Sequence, residues 1–164
     1  MLKAFTLIEL LIVVAILGII AAVSIPYLMK GTMAANEASA ISSLRTYFSS
    51  QQAYRSTHTP RQYGNIEDIR DEDYMDPSLC NSFINNVVLS GFYFAQSMFS
   101  RMGKNIYFDA EAGPEQYDVT GKRQFYLCPT GTIYTRDIHQ DGLPGIIGNY
   151  FISNPGADWN ELAE

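Results

Sequence analysis

The hydrophobic pattern divides the chain into an apolar beginning and a mixed remainder. No polar side chain occurs from Leu10 to Val23, and residues 24–29 stay largely apolar before Lys30. The segment from Phe5 to Met29 is 25 residues long. As an α-helix it would measure about 37 Å, enough to cross the roughly 30 Å core of a bilayer with some tilt. The pattern therefore predicts an apolar helix that can span a membrane.

A helical periodicity continues beyond the apolar segment. Apolar residues recur at spacings of three and four, at Ala34, Ala38, Ile41, Leu44 and Phe48. Such spacing is typical of one face of an α-helix. We expect a nearly continuous helix from about Phe5 to about Arg55, because Pro60 disfavours a helical conformation for the residue before it. The apolar stripe is expected to pack on a sheet.

The remainder of the chain predicts that sheet. Short aromatic or alternating runs occupy residues 91–95, 105–108, 117–120, 124–128 and 132–135, and the last two form the clearest hairpin. Residues 61–80 are expected to connect helix and sheet, with a turn or short helix starting near Asp76. From Asp137 onward we expect an irregular loop, anchored on the sheet by Trp159. The predicted fold class is α+β, a long N-terminal α-helix packed by its second half on an antiparallel β-sheet.

Charge and cysteine content narrow the function classes. The formal net charge is −6, so general nucleic-acid binding is not expected. The chain has two cysteines, Cys80 and Cys128, and two histidines, which argues against a structural zinc site. In an oxidising compartment we expect a Cys80–Cys128 disulfide, whose loop closure is worth about 4 kcal/mol in the chain-entropy model.

No catalytic constellation is found, and no cofactor or enzymatic activity is predicted. His58 and His139 stand apart from any nucleophile at a recognised spacing, and no glycine loop has the Lys or Ser/Thr that phosphate binding needs. Asp137 and Asp141 resemble the start of a calcium loop, but its twelfth position is Gly148 rather than Glu. A plain Asp-Gly turn is the favoured alternative. The acidic run at 66–76 is expected to be a solvated face.

Glu9 is the unexpected residue of the apolar segment. A carboxylate costs about 2.5–3.5 kcal/mol near the membrane centre and less near its edge. A secretory signal peptide, cut near Ala22-Val23-Ser24, would not need it, and neither would a plain signal anchor. A buried core helix is disfavoured because no side of residues 10–23 is polar. An acid inside a membrane segment is by default functional, with a partner to be named.

The stretch Ala4-Phe5-Thr6-Leu7-Ile8-Glu9-Leu10 resembles the processing and assembly motif of type IV pilins and type II secretion pseudopilins. The resemblance implies that a prepilin peptidase cuts between Ala4 and Phe5 and that the new amine of Phe5 is methylated. It also implies that Glu9 pairs with the N-terminal amine of a neighbouring subunit. Gly18 and Pro26 lie where the family has a helix-weakening pair.

The resemblance also implies an organisation for the whole chain. Residues 1–4 would be the leader, 5–29 the transmembrane and filament-core half of the helix, 30–58 its amphipathic half, and 59–164 the globular α+β head. The implied function is that of a structural subunit. It would leave the inner membrane for an extracellular pilus-like homopolymer, through an assembly platform with a separate ATPase. The alternatives are a type II secretion pseudopilin and a membrane-anchored binding protein that never polymerises.

Leader cleavage is directly testable. We predict a cut between Ala4 and Phe5, which leaves 160 of the 164 residues with a methylated amine on Phe5. Ala4 stands where the family usually has Gly, so cleavage after Ala4 is the step of maturation that has to be measured. Intact mass and N-terminal peptide mapping of the assembled protein check it. A mature start at Ile25 would instead identify an ordinary signal peptide.

Overall fold

The described part of the chain folds into one long helix, two short helices and a meandering sheet. The computed structural model describes residues 6–59, 61–101, 103–138 and 159–162. The elements are α1 Leu7–Thr57, α2 Ile66–Asp71, α3 Pro77–Asn85, β1 Phe92–Arg101, β2 Lys104–Pro114, β3 Arg123–Leu127, β4 Ile133–Asp137 and β5 Asn160–Glu161. The strands pair antiparallel in the order β1-β2-β3-β4-β5. The predicted α+β class is confirmed.

Contacts group the chain into two units, Met1–Thr32 and Met33–Glu164. In the first unit every described side chain, from residue 6 to residue 32, is exposed. The second unit contains the hydrophobic core, which lies between α1, α2, α3 and one face of the sheet. We call the second unit the head. The boundaries predicted from the sequence at residues 29 and 58 stay predictions.

Within the head, the face of α1 that packs on the core overlaps only in part with the predicted stripe. The buried positions along α1 include Glu37, Ala40, Leu44, Tyr47, Gln51 and Tyr54, which alternate spacings of three and four. Of the predicted stripe, only Leu44 is buried, while Ile41 and Phe48 are half-buried and Ala34 and Ala38 are exposed. The predicted stripe was therefore right in part, because Ile41 and Phe48 pack against the core beside Leu44, whereas Ala34 and Ala38 are exposed. Polar Glu37 and Gln51 occupy core positions and hide the true period.

The buried amide of Gln51 is fully used. Its Nε2 donates to the Tyr47 hydroxyl at 2.8 Å and to the Gly64 carbonyl at 2.9 Å, and its Oε1 accepts from the Gly64 amide at 3.1 Å. A Cβ on Gly64 would lie 3.1 Å from the Tyr54 ring, so the segment after α1 passes close against the helix. These bonds satisfy a buried polar group and fix the chain's return toward the sheet.

Glu37 is a second buried polar residue and ties α1 to the turn before β3. Its carboxylate accepts hydrogen bonds from the amide of Lys122 at 2.9 Å and the amide of Arg123 at 3.2 Å. The Arg123 guanidinium adds a bond from Nε at 2.9 Å and an ion pair from Nη2 at 2.7 Å. Charge-assisted bonds of this kind are the strong ones. Glu37 does not belong to the predicted apolar stripe, yet the structure places it at the edge of the core.

Residues 117–120 were predicted to form a strand, but they form a tight turn just before the segment that Glu37 binds. Residues 117–120 alternate in sequence, yet Asp118 has φ of +61° and its amide donates to the Gly121 carbonyl at 3.0 Å. The Thr120 amide donates to the Gln116 carbonyl at 2.9 Å. Because these local bonds close a tight turn, the alternation does not indicate a strand here. The two predicted aromatic runs extend into the long β1–β2 hairpin, and the predicted β3–β4 hairpin is confirmed.

The acidic connecting segment folds into α2 and the approach to α3. Asp68 accepts from the Asn65 amide at 3.2 Å, which caps α2, and Asp76 accepts from the Ser78 amide at 2.8 Å, which caps α3. The Ser78 hydroxyl also donates to Asp76, and these bonds lower the pKa of the Asp76 carboxyl. Pro77 stands in the first turn of α3, where its missing N–H costs nothing. The expected connector thus contains helices that its acids help to start.

Removal of Glu37 tests the anchoring of the turn. Replacing Glu37 by Ala removes the acceptor of the Lys122 amide, the Arg123 amide and the Arg123 guanidinium described above. We expect the free energy of unfolding of the head to fall by about 3 kcal/mol, at the low end for breaking a buried ion pair because Arg123 is partly exposed. Chemical unfolding followed by near-UV circular dichroism measures it. The control is Glu115→Ala, which removes an exposed side chain. An equal loss of unfolding free energy in both variants would contradict the anchoring role of Glu37.

Candidate functional site

The N-terminal unit presents an apolar surface on all sides. The side chains of its large hydrophobic residues are exposed, from 46% at Met29 to 81% at Leu7. Of the described residues, only those of α1 form a helix long and apolar enough to cross a membrane. Soluble monomers rarely expose continuous apolar patches of this size. The surface therefore needs a cover that the described chain does not supply.

Glu9 and Thr6 cap the N-terminus of α1. The Glu9 Oε2 accepts from the Thr6 amide at 2.9 Å and from the Thr6 hydroxyl at 2.7 Å, while the Thr6 Oγ1 accepts from the Glu9 amide at 3.3 Å. This reciprocal pattern is a capping box, in which the first and fourth residues satisfy each other's backbone amide. The motif around Glu9 predicts only a role in assembly. The Thr-x-x-Glu spacing was the signal for this second role.

The cap explains the position of the acid but does not neutralise its charge. Thr6 supplies neutral donors, and the sequence has no Lys or Arg between Lys3 and Lys30. The helix dipole favours a negative charge in the first turn, typically by about 0.3–1 kcal/mol. That gain is smaller than the cost of a carboxylate deep in a membrane. A cation from outside residues 4–29 is needed for full compensation.

The predicted helix-weakening residues lie inside a continuous helix. Pro26 is within α1, and a Cβ on Gly18 would meet nothing within 4 Å. Pro26 has no amide hydrogen, so the carbonyl of Ala22 loses its ordinary helical partner. The two residues are weak points by composition, while α1 stays helical through both. The predicted processing residues Ala4 and Phe5 lie outside the described residues.

Comparison with known families decides what this N-terminus is. Residues 3–25 match the family model described as the prokaryotic N-terminal methylation motif. The chain carries the type IV pilin and pseudopilin signature. Pilin-type proteins with this motif are structural rather than enzymatic, and the motif implies a prepilin peptidase and polymerisation in general. No curated protein and no solved structure matches the chain.

The match lies within the N-terminal unit and ends before the head. Ala4, Phe5, Glu9 and Gly18 all lie inside residues 3–25, and Pro26 follows directly. The specific roles of these residues remain proposals. The head has no matching relative, so its function has to be argued from its own contacts.

The two cysteines of the head lie in different surroundings. Cys80 in α3 is buried and donates weakly to the Met75 carbonyl at 3.7 Å, and burial raises the pKa of its thiol. Cys128 follows β3, is half-buried, and lies 2.7 Å from the Thr130 hydroxyl oxygen through its Sγ. Both are free thiols in the structure. The predicted bridge is therefore not seen here, and it stays a prediction for the exported protein.

The remaining candidates show no assembled catalytic or metal site. His58 stacks on Tyr54 at 3.8 Å between ring centroids, and its Nε2 lies 3.2 Å from Glu72. This arrangement joins the end of α1 to the residue after α2. Among the described residues no group of three potential metal ligands is found. The Tyr117 hydroxyl donates to the Asp137 Oδ1 at 3.4 Å. Asp141 and His139 lie outside the described residues, so the structure does not test the calcium loop.

Thiol labelling decides the state of the cysteines. With a Cys80–Cys128 bridge, the unreduced exported protein should label at neither cysteine, and both should label after reduction and unfolding. Without the bridge, half-buried Cys128 should label in the folded protein and buried Cys80 only on unfolding. Mass spectrometry of labelled peptides separates the two patterns. Labelling of Cys128 before reduction contradicts the disulfide.

Proposed function

We propose that the chain is the structural subunit of an extracellular type IV pilus-like filament, assembled from the inner membrane after leader cleavage. The precursor resides in the membrane through the apolar part of α1. A prepilin peptidase exposes the amine of Phe5, and an assembly platform with a separate ATPase moves the subunit outward. The observation that supports this proposal best is Glu9, a charged residue held at the start of an exposed apolar helix.

The apolar surface of α1 supports polymerisation. Lipid covers it before assembly, and the helices of neighbouring copies can cover it afterwards. Burial of apolar surface contributes about 25 cal/mol per Å² relative to water, so a helix that leaves the membrane must exchange lipid for another apolar partner. A second copy of the same helix offers a surface of the same composition and length. The result is a bundle of helices at the centre of a filament.

The charge of Glu9 supports a specific register within that bundle. In the Thr6–Glu9 cap the carboxylate receives only neutral donors, so a cation from another copy can still add a favourable interaction. Cleavage before Phe5 would create an ammonium group at the N-terminus. An ion pair between that ammonium and Glu9 of the adjacent subunit would fix the axial position of each incoming helix. An unpaired charge in such a core costs about 3–5 kcal/mol, which rejects other registers.

A pseudopilin of a type II secretion system shares the same motif and remains the alternative function. The Glu9 argument applies equally to its short filament. A membrane-anchored binding protein that never polymerises is the other alternative, and it predicts that any apolar anchor can replace residues 5–29. Both filament proposals predict that such a replacement abolishes assembly.

Three substitutions separate the charge of Glu9 from its cap. Glu9→Gln keeps a capping-box residue and the side-chain shape but loses the charge, whereas Glu9→Val loses both. We expect both variants to insert into the membrane at normal levels and to reduce filament yield sharply. Thr6→Ala keeps the charge and weakens the cap by about 1 kcal/mol, so its filament yield should fall far less. Filament yield is measured by shearing and immunoblotting in cells without the wild-type chain.

A matched control guards against loss of folding. Glu115→Gln changes an exposed acid of the head and should assemble as the wild type does. If Glu9→Gln formed filaments at the wild-type level while Thr6→Ala did not, the cap rather than the charge would be the functional feature. If all the variants assembled normally, Glu9 would have no role in assembly.

A further inference from the structure

The sheet face that turns away from α1 carries a polar cluster. Asp109 and Glu111 alternate with core residues on β2, and Gln124 on β3 alternates in the same way. Gln124 is the register partner of Arg136 on β4. Asp109 and Gln124 are buried, at 8% and 6% exposure, which is unusual for the solvent side of a sheet. Two carboxylates with one nearby arginine make this cluster electrostatically unbalanced.

Arg136 is held by an amide rather than by a carboxylate. Its Nε and Nη2 donate to the Gln124 Oε1 at 3.1 and 2.9 Å. The Gln124 Nε2 in turn donates to the Glu111 Oε2 at 3.3 Å. Within the described part of the chain, Arg136 forms no ion pair within 4.0 Å of an acidic oxygen, although Glu111 is the next side chain along this path. Gln124 therefore stands between an arginine and a glutamate that can attract each other.

The Arg136 guanidinium also contacts Trp159, the residue just before β5. Its Cζ lies 4.8 Å from the centroid of the Trp159 ring, and the Tyr126 ring lies 5.9 Å from the same ring. β5 pairs with β4 through two residues only, and the Leu162 amide adds one bond to the Ile133 carbonyl at 2.9 Å. So short a strand forms few backbone hydrogen bonds of its own, and the adjacent Leu162 packs against the hydrophobic core. The Trp159 contacts are a substantial part of what keeps it on the sheet.

We propose that Glu111, Gln124 and Arg136 form an acid-sensitive latch that holds Trp159 and β5 on the sheet. While Glu111 is neutral, Arg136 stays on Gln124 and over the Trp159 ring, and the strand is docked. When Glu111 ionises, its carboxylate competes for Arg136 and draws the guanidinium away from the ring. The strand then loses its cation–π contact and opens.

The surroundings of Glu111 give the latch a working range near neutral pH. Burial and then the charge of Asp109 raise the pKa of Glu111 to about 7, while Arg136 and Gln124 oppose the shift. Burial also raises the pKa of Asp109, against hydrogen bonds from Tyr126 and Ser97. The facing groups are thus Asp109 on β2, the Tyr126 phenol on β3 and Arg136 on β4. On β1 the register partner of Glu111 is the uncharged Ala95.

The sign of the pH dependence follows from the raised pKa of Glu111. A group whose pKa is raised by folding stabilises the folded form in its protonated state. That contribution is fully present below the ordinary value of 4.5 and is lost as pH rises through about 7. The strand should therefore be docked in acid and released in mild base.

Trp159 is the only tryptophan of the chain, so its fluorescence reports the latch directly. Acrylamide quenching of the full chain in detergent is measured from about pH 5 to about pH 9, which brackets the ionisation of Glu111. We expect weak quenching in acid and a rise of severalfold with a midpoint near 7. Glu111→Gln should stay weakly quenched throughout. Asp109→Asn should move the midpoint to lower pH.

Two further variants complete the test. Arg136→Gln removes the cation and should leave Trp159 accessible at every pH, with an unchanged far-UV circular dichroism spectrum as proof of folding. Glu115→Gln alters an exposed acid in the turn after β2 and should titrate as the wild type does. Quenching that is independent of pH in the wild type overturns the latch. So does a Glu111→Gln variant that titrates as the wild type does.

Discussion

The apolar surface of residues 7–29 has no stable place in water, and the rest of the structure depends on where that surface goes. Every side chain of this part of α1 is exposed in the isolated chain. A bilayer would cover it in the precursor, and a bundle of identical helices would cover it in the proposed filament. Because α1 continues without a break to Thr57, the element that is apolar at one end also supplies core residues to the head at the other. One helix thus connects the anchor with the folded head.

The first turn of that helix combines two electrostatic demands. A helix N-terminus needs acceptors for its free amides, and the Thr6–Glu9 cap supplies them. An apolar environment penalises an unpaired carboxylate, and no cation between Lys3 and Lys30 relieves it. A partner ammonium from another copy would meet the second demand without disturbing the first. The same pair of residues can therefore serve folding of the helix and registration of the polymer.

Much of the fold could be predicted because its strongest signals are local. The uninterrupted apolar run, the Pro-Thr-Gly turn of the β3–β4 hairpin and the motif around Glu9 each depend on neighbouring residues. The face of α1 that enters the head could not be predicted in the same way. Glu37 and Gln51 are polar, and they occupy core positions only because distant partners, Arg123 and Gly64, satisfy them. Such partners cannot be identified from the spacing of apolar residues.

The candidate sites also differ in how far local sequence predicts them. The proposed assembly role of Glu9 follows from the energetic cost of an acid in an apolar segment, and its capping role was available from the Thr-x-x-Glu spacing. The polar cluster under Trp159 was not predictable, because Glu111, Gln124 and Arg136 come from three strands and meet only through the register of the sheet. A single sequence shows no sign of that register beyond alternation.

We propose that this chain polymerises through its N-terminal helix. Electron microscopy of sheared cell-surface material, with peptide identification of the purified filaments, can detect the polymer itself. We expect long filaments rich in this chain, with Phe5 as the first residue of the mature subunit. Recovery of the chain only from detergent-extracted membranes, with no filament in the sheared material, would contradict it.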